Sequence, residues 1–262
     1  MSEKSTPTSR RSMAPSVTLD NFLEEINPLK SLYATYLMLV GAEVVALVMM
    51  VLWVISQGID WTSQTDKLFW WHPLLMTISL VVIGQSILVF RVLRISTNLS
   101  HQVAKIVHLV VNLGVWCVMV VGLNAVFKSH DKQGIPHLQD IHGIFGIIIV
   151  ITFTLQLIFG FITFVFPGAH DFTRKWYMRY HRFFGCLVVL FMAVQALTGV
   201  VKSEVVSGMA GVYCKVFAVS ILAFIISIGY IIINSVFRPN FAIDREPLAP
   251  GTAQVHPQYG SI

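Results

Sequence analysis

The chain has 262 residues, 55% of them hydrophobic and only 12% charged, which is about half the charged share of a soluble domain at roughly 25%. Mean hydropathy is +0.73 and the formal charge is +5. This composition argues against a water-soluble globule. The basic residues are scattered through loops instead of clustered, which also argues against nucleic acid as a partner. The first 30 residues mix Ser, Thr and Pro with Arg10, Arg11, Glu24 and Glu25. They are expected to be a disordered cytosolic tail, with no apolar core and cleavage site of a secretory signal. Six apolar spans follow, at about 31–57, 69–90, 104–127, 141–166, 182–202 and 212–236, each long enough as a helix to cross a hydrocarbon core. The predicted fold is an all-α membrane protein with six transmembrane helices in one domain over 31–236, with no evident internal repeat. Residues 237–262, with Pro239, Pro247, Pro250 and Pro257, are expected to form a second disordered tail.

Lys and Arg divide unevenly between the two sides of such a bundle. Thirteen fall on the tails and the second and fourth loops, and five (Lys67, Lys128, Lys132, Lys202 and Lys215) on the other side. The positive-inside bias therefore places both termini in the cytosol. The only glycosylation sequon, Asn98-Leu99-Ser100, then lies in a cytosolic loop and is expected to stay bare. Cys117, Cys186 and Cys214 have neither disulfide-framework nor metal-ligand spacing.

The four central spans carry one histidine each near an end: His72, His108, His142 and His181. Alternating helix direction puts His72 and His142 at one depth and His108 and His181 at the other. Such pairs can supply both axial ligands of two haem irons stacked across the membrane, held in a central four-helix bundle. A proton path or a metal-ion site is the alternative. Glu43, Gln85, Asn112, Gln156 and Gln195 also lie within spans, and their expected role is helix packing.

His101, Lys105 and His108 are spaced four and three residues apart, so they form one helical stripe leading to the cytosolic histidine pair. Arg174 precedes His181 by seven residues and shares its face if the helix extends back that far. Lys105 and Arg174 together suit a small anionic reductant. Arg91, Arg94, Lys175, Arg179 and Arg182 are expected to snorkel to the membrane surface. On the opposite side, His130 and His137 precede His142, and either can bind an acceptor or shuttle a proton. A zinc site of His130, His137 and Asp131 has no specific spacing to support it.

The runs His72-Pro73-Leu74-Leu75-Met76, Lys105-Ile106-Val107-His108, Ile141-His142-Gly143 and Tyr180-His181-Arg182-Phe183-Phe184-Gly185 together resemble the eukaryotic cytochrome b561 family over about 69–201. The resemblance implies two non-covalent b-type haems and an ascorbate-dependent transmembrane oxidoreductase that passes electrons from cytosolic ascorbate to monodehydroascorbate or a ferric chelate. It implies His72 with His142 as outer and His108 with His181 as inner ligands of haem iron. Lys105 and Arg174 match the family's cytosolic ascorbate contacts, His101 takes the basic position one turn before Lys105, and His130 matches a histidine at the outer acceptor site. Ser86-Ile87-Leu88-Val89-Phe90-Arg91-Val92-Leu93-Arg94 is similar to the family's ascorbate motif. Asp140-Ile141-His142-Gly143-Ile144 replaces the usual Ser-Leu-His-Ser-Trp run, and Gln139 stands where a tyrosine is expected, which shifts weight toward ferric chelate as acceptor. Two other classes of function stay open: a histidine-lined proton or ion transporter without haem, and a non-catalytic haem-binding sensor or assembly subunit. The oligomeric state is open, a homodimer included. So is the membrane: plasma, endolysosomal or secretory-vesicle. Tyr259-Gly260-Ser261-Ile262 has the pattern of a tyrosine-based sorting signal.

Overall fold

The structure is a computed structural model that describes residues 19–58, 66–93, 97, 99–207 and 211–234. Residues 1–18, Arg94, Asn98 of the sequon, the tail at 237–262 and its Tyr259-Ile262 pattern lie outside the described residues. Helix α1 spans Leu19–Ser56 and is followed by a short 3-10 turn, Asp66–Trp70. Helix α2, Trp71–Leu88, runs on through a π-helical turn, Val89–Leu93. Helices α3 (His101–Gln133), α4 (Ile141–Phe164), α5 (Asp171–Ser207) and α6 (Val212–Ile233) complete the chain, and no strand occurs among the described residues. All six helices are long and apolar enough to cross a membrane, so this is an all-α, multi-pass membrane protein.

The helix boundaries follow from local chemistry. Ser100 is extended, and its hydroxyl accepts the Val103 amide, so α3 starts at His101. Asp140 caps α4 in the same way by accepting the Gly143 amide at 2.8 Å. Helix α3 stops at Gly134, whose φ of 63° lets its own amide and that of Ile135 turn back onto the carbonyls of Asp131 and His130. Arg91 donates to the carbonyls of Ile231 and Asn234 and so closes the end of α6. Helix α5 begins at Asp171, eleven residues before the expected start of its span at 182. The stretch 171–181 holds Arg174, Lys175, Arg179 and His181, so its turns are too polar to register as a membrane span although they are helical. Helix α1 likewise begins at Leu19, ahead of the apolar window that opens at Lys30.

Three antiparallel pairs make the bundle: α1 with α6, α2 with α3, and α4 with α5, with α2 also touching α1 and α5. Lipid tails are as apolar as leucine, so close packing and polar contacts must hold these helices together. At Gly84, a Cβ would lie 2.7 Å from the Phe224 ring, so the missing side chain is what lets α6 approach α2. Glu43, buried in α1, accepts from the Gln85 amide at 2.6 Å, and the Tyr36 hydroxyl donates to the Gln85 oxygen at 2.8 Å. That chain of bonds ties α1 to α2.

Candidate functional site

The four span histidines meet two by two. The rings of His72 and His142 have centroids 6.3 Å apart and planes at 85°, while those of His108 and His181 are 6.2 Å apart at 70°. Each couple joins one helix of the α2/α3 pair to one of the α4/α5 pair, so the rings face each other across the gap between the pairs.

The surroundings of each imidazole set its tautomer. His72 Nδ1 lies 3.2 Å from the Gly122 carbonyl and His108 Nδ1 3.0 Å from the Ser86 carbonyl. A carbonyl only accepts, so both Nδ1 atoms carry the proton and both Nε2 atoms keep a free lone pair. His142 Nδ1 lies 3.1 Å from the Thr198 hydroxyl, and His181 Nδ1 is buried with no hydrogen-bond partner. Asn112 braces the His108 turn by donating to the Ser86 hydroxyl and the His108 carbonyl. Gln156 donates to the His181 carbonyl at 2.5 Å, and Gln195 donates to the His142 carbonyl.

These contacts obey one rule, which amounts to an internal repeat that the sequence alone did not reveal. Ser86, Gly122, Gln156 and Gln195 each stand fourteen residues after the histidine of their own helix, and each bonds to the histidine of the antiparallel neighbour. Fourteen residues rise ~21 Å and return to nearly the same face of the helix. Two antiparallel helices can therefore exchange identical contacts at both ends, related by a two-fold axis between them. In α4 and α5 the likeness extends to glycines four and eighteen residues after the histidine. A Cβ on Gly146 or Gly185 would meet Gln195 or Gln156, one on Gly199 would lie 2.9 Å from the His142 ring, and one on Gly160 would lie 3.2 Å from the His181 ring.

The other predicted residues sort to the two ends. Beside His108, Phe90 in the π-turn packs against both His101 and His108, at 5.6 and 5.7 Å. Lys105 reaches across to α4 and donates to the Phe164 carbonyl at 3.1 Å, and the Phe164 ring packs on Tyr177 and His181. Arg174 lies on the same helix as His181, two turns earlier, with its exposed guanidinium bonded to Asp171 at 2.7 Å. At the other end, His72, His142 and His130 line one cavity of about 580 Å³, largely apolar, with Trp70, Met119 and Lys202 among the other walls. That volume falls within the range of small-molecule sites, about 300–1,000 Å³. Lys202 also pairs with Asp140, the α4 cap, which draws the last turns of α5 onto the start of α4. The Lys202 amine first, and then the Gly143 amide, hold the Asp140 carboxyl below its ordinary range. His137 stacks on His130 but is bonded to Asp131 at 2.8 Å. No group of three metal-binding side chains occurs among the described residues, so the zinc cluster does not form.

Residues 71–207, which contain all four paired histidines, match the eukaryotic cytochrome b561 family. The chain belongs to that family. It is 36% identical over 168 residues to the transmembrane ascorbate-dependent reductase CYB561 of Ovis aries, covering 64% of this chain and 65% of that one. It is 34% identical over 182 residues to the Homo sapiens protein of the same name, covering 69% and 70%. It is also 34% identical over 169 residues to the ascorbate-specific transmembrane electron transporter 2 of Zea mays, covering 64% and 70%. The chain thus spans about two thirds of the length of these relatives. A cytochrome b561 fold implies haem, and the histidine geometry can be tested against that. A metal ion gripped by two opposed imidazoles through ~2 Å nitrogen bonds sets the ring centroids about 6 Å apart. Both couples meet this separation. The residues present also leave Nε2 available on His72 and His108, and the glycines at 160 and 199 leave room beside the opposing rings. The donor set therefore fits the group.

Proposed function

We propose that this cytochrome b561 carries electrons across its membrane from cytosolic ascorbate to an acceptor on the opposite face, a ferric chelate or monodehydroascorbate. Two non-covalent b-type haems would supply the one-electron chemistry, one held by His72 and His142 and the other by His108 and His181. The observation that carries this reading is the pair of imidazole couples at iron-spanning separation, 6.3 and 6.2 Å, about 21 Å apart along the helices. A histidine-lined proton path would not need two facing couples with the backbone carbonyls holding Nδ1 and leaving Nε2 unbonded on His72 and His108. The ascorbate named in the relatives supports the choice of reductant.

The distribution of Lys and Arg supports cytosolic termini and a cytosolic His108–His181 layer. There the reductant is held by charge. Ascorbate is an anion at neutral pH, and the Arg174 guanidinium can exchange the Asp171 carboxylate for its oxygens, making two parallel hydrogen bonds. Lys105, already bonded at the carbonyl of Phe164, adds a cation beside the ring that packs on His181, and His101 extends the stripe toward the cytosol. Outside, His130 and Lys202 stand on the wall of the cavity lined by His72 and His142, where an acceptor would meet the edge of the haem held between those two rings. Asp140 and Gly143 beside His142, in place of the family's usual neighbours, support a ferric chelate as acceptor. The protein binds, orients and excludes water, while no side chain need be oxidised.

The test is vesicle transfer. Purified protein in vesicles loaded with ascorbate is expected to reduce external ferric chelate and to show reducible b-type absorbance. Replacing Lys105 or Arg174 by alanine removes a charged hydrogen bond of about 1.5–3 kcal/mol, so the ascorbate KM should rise about tenfold or more with the haem spectrum unchanged. Colourless protein, or transfer that neither substitution slows, would sink the proposal.

A further inference from the structure

The two-fold pattern in α4 and α5 breaks at one position beside the ligands. Seventeen residues after its histidine, α5 carries Thr198, whereas α4 carries Phe159. Each stands three residues after the glutamine that bonds the opposing histidine and one residue before the glycine that faces its ring. Thr198 donates its hydroxyl proton to the Gln195 carbonyl at 3.0 Å, so its oxygen is left to accept from His142 Nδ1 at 3.1 Å. Phenylalanine offers no acceptor. His181 Nδ1 is correspondingly buried without a partner, among the aromatic rings of Phe164 and Tyr177.

The difference has a chemical consequence that rests on the haem reading above. When Nε2 binds iron, Nδ1 must hold the ring proton. An oxygen that accepts this proton makes the imidazole a more basic ligand and favours the oxidised iron, lowering its potential. An imidazole with no acceptor does the reverse. The partner ligands do not reproduce this contrast: His72 and His108 each donate to a backbone carbonyl, and although the Ser86 hydroxyl also lies 3.1 Å from His108 Nδ1, that nitrogen has its acceptor without it.

We propose that the Thr198/Phe159 pair sets the two haems of this chain apart: Thr198 is a positioning residue that lowers the potential of the iron held by His142, and Phe159 leaves the iron held by His181 without that influence. Neither residue touches iron or substrate; both act through the ligand's second nitrogen.

Absorbance-monitored redox titration of the full-length protein tests this, with His142→Ala used to identify which of the two waves belongs to the His72–His142 layer. Thr198→Val is expected to raise the potential of that wave alone, and Thr198→Ser, which keeps the hydroxyl, to restore it. Phe159→Thr, which places a hydroxyl at the position equivalent to Thr198 with the Gln156 carbonyl one turn back available to take its proton, is expected to lower the other wave alone. If Thr198→Val fails to fold, the Phe159→Thr shift still decides the matter. Two waves that stay in place in both variants, or that move together, would overturn the proposal while leaving the haem assignment intact. Protein without any b-type absorbance would overturn the haem assignment itself.

Discussion

The α2/α3 and α4/α5 pairs build the same frame by different means. In α2/α3 the imidazoles are held by the backbone carbonyls of Gly122 and Ser86, which no side-chain replacement can delete. In α4/α5 the holding is done by Gln156, Gln195 and Thr198, and a fourth contact is missing at His181. One half of the ligand set is therefore anchored by main chain and is hard to change by mutation, while the other half is adjustable residue by residue. The two-haem relay proposed above would gain from this division, since one ligand of each iron would stay fixed while the environment of the other could diverge.

The largest effect that would test this contrast lies at the glycines of the adjustable pair. Gly199→Ala places a Cβ 2.9 Å from the His142 ring, and Gly160→Ala places one 3.2 Å from the His181 ring. Overpacking costs about 1–3 kcal/mol, so Gly199→Ala is expected to release the haem of the His72–His142 layer. Gly160→Ala should weaken the other layer less. Haem content per chain, measured from the reduced absorbance after purification, reads both. Equal retention in the two variants would show that the rings have more freedom than these distances allow.

A smaller effect is expected at the glutamines. Gln195→Leu and Gln156→Leu each remove one hydrogen bond to a histidine carbonyl, worth about 1 kcal/mol, and their equivalent positions predict similar losses in the thermal retention of haem. Ser86→Ala serves as the comparison in α2/α3. It removes the hydroxyl that accepts from Asn112 and lies 3.1 Å from His108 Nδ1 but keeps the carbonyl that holds that nitrogen, so its effect should be smaller than that of either glutamine variant. A Ser86→Ala loss as large as the glutamine losses would remove the distinction between main-chain and side-chain anchoring.

The smallest expected effect is pH-dependent and lies at the Asp140–Lys202 pair. The Asp140 carboxyl is held below its ordinary range, chiefly by Lys202. A carboxylate depressed in the folded state contributes stability that is full above its unfolded pKa near 4 and is lost as pH falls through the lower folded value. The pair is exposed, so its worth is at most about 1 kcal/mol. Asp140→Asn keeps a side-chain oxygen for the Gly143 amide and loses the ion pair. It is expected to melt slightly below the unchanged protein at pH 7 and to converge with it as pH falls through the depressed Asp140 value. A difference that does not shrink as pH is lowered below about 4 would mean that the cap, and not the charge, supplies the stability.

Much of this was legible in the residue order. Long apolar spans announce membrane helices because the hydrocarbon core demands about 20 apolar residues whatever the partners. One histidine per central span, combined with alternating direction, is enough to pair His72 with His142 and His108 with His181. The helical extension that puts Arg174 on the face of His181 was visible only as a condition, because the polar turns 171–181 lack the apolar signal on which span prediction relies. Lys202 read only as a topological charge and Asp140 only as part of the run around His142, and only the packing of α5 on α4 makes them one pair. The repeat was hidden for a different reason. In α4 and α5 its letters are His, Gly, Gln and Gly, recognisable once the helices are laid antiparallel, whereas in α2 and α3 the equivalent positions meet the imidazoles through backbone carbonyls, which every residue possesses.

What the order of residues determined alone is the number of helices, their span across lipid and the depth of each imidazole, because hydrophobic length and helical rise act locally. What the tertiary structure decided is which nitrogen of each imidazole is occupied and by what. That depends on the residue fourteen places along the antiparallel helix in α2 and α3, and seventeen places along it for Thr198 in α5, coming to lie beside the ring, a contact between distant segments that only close packing of two helices creates.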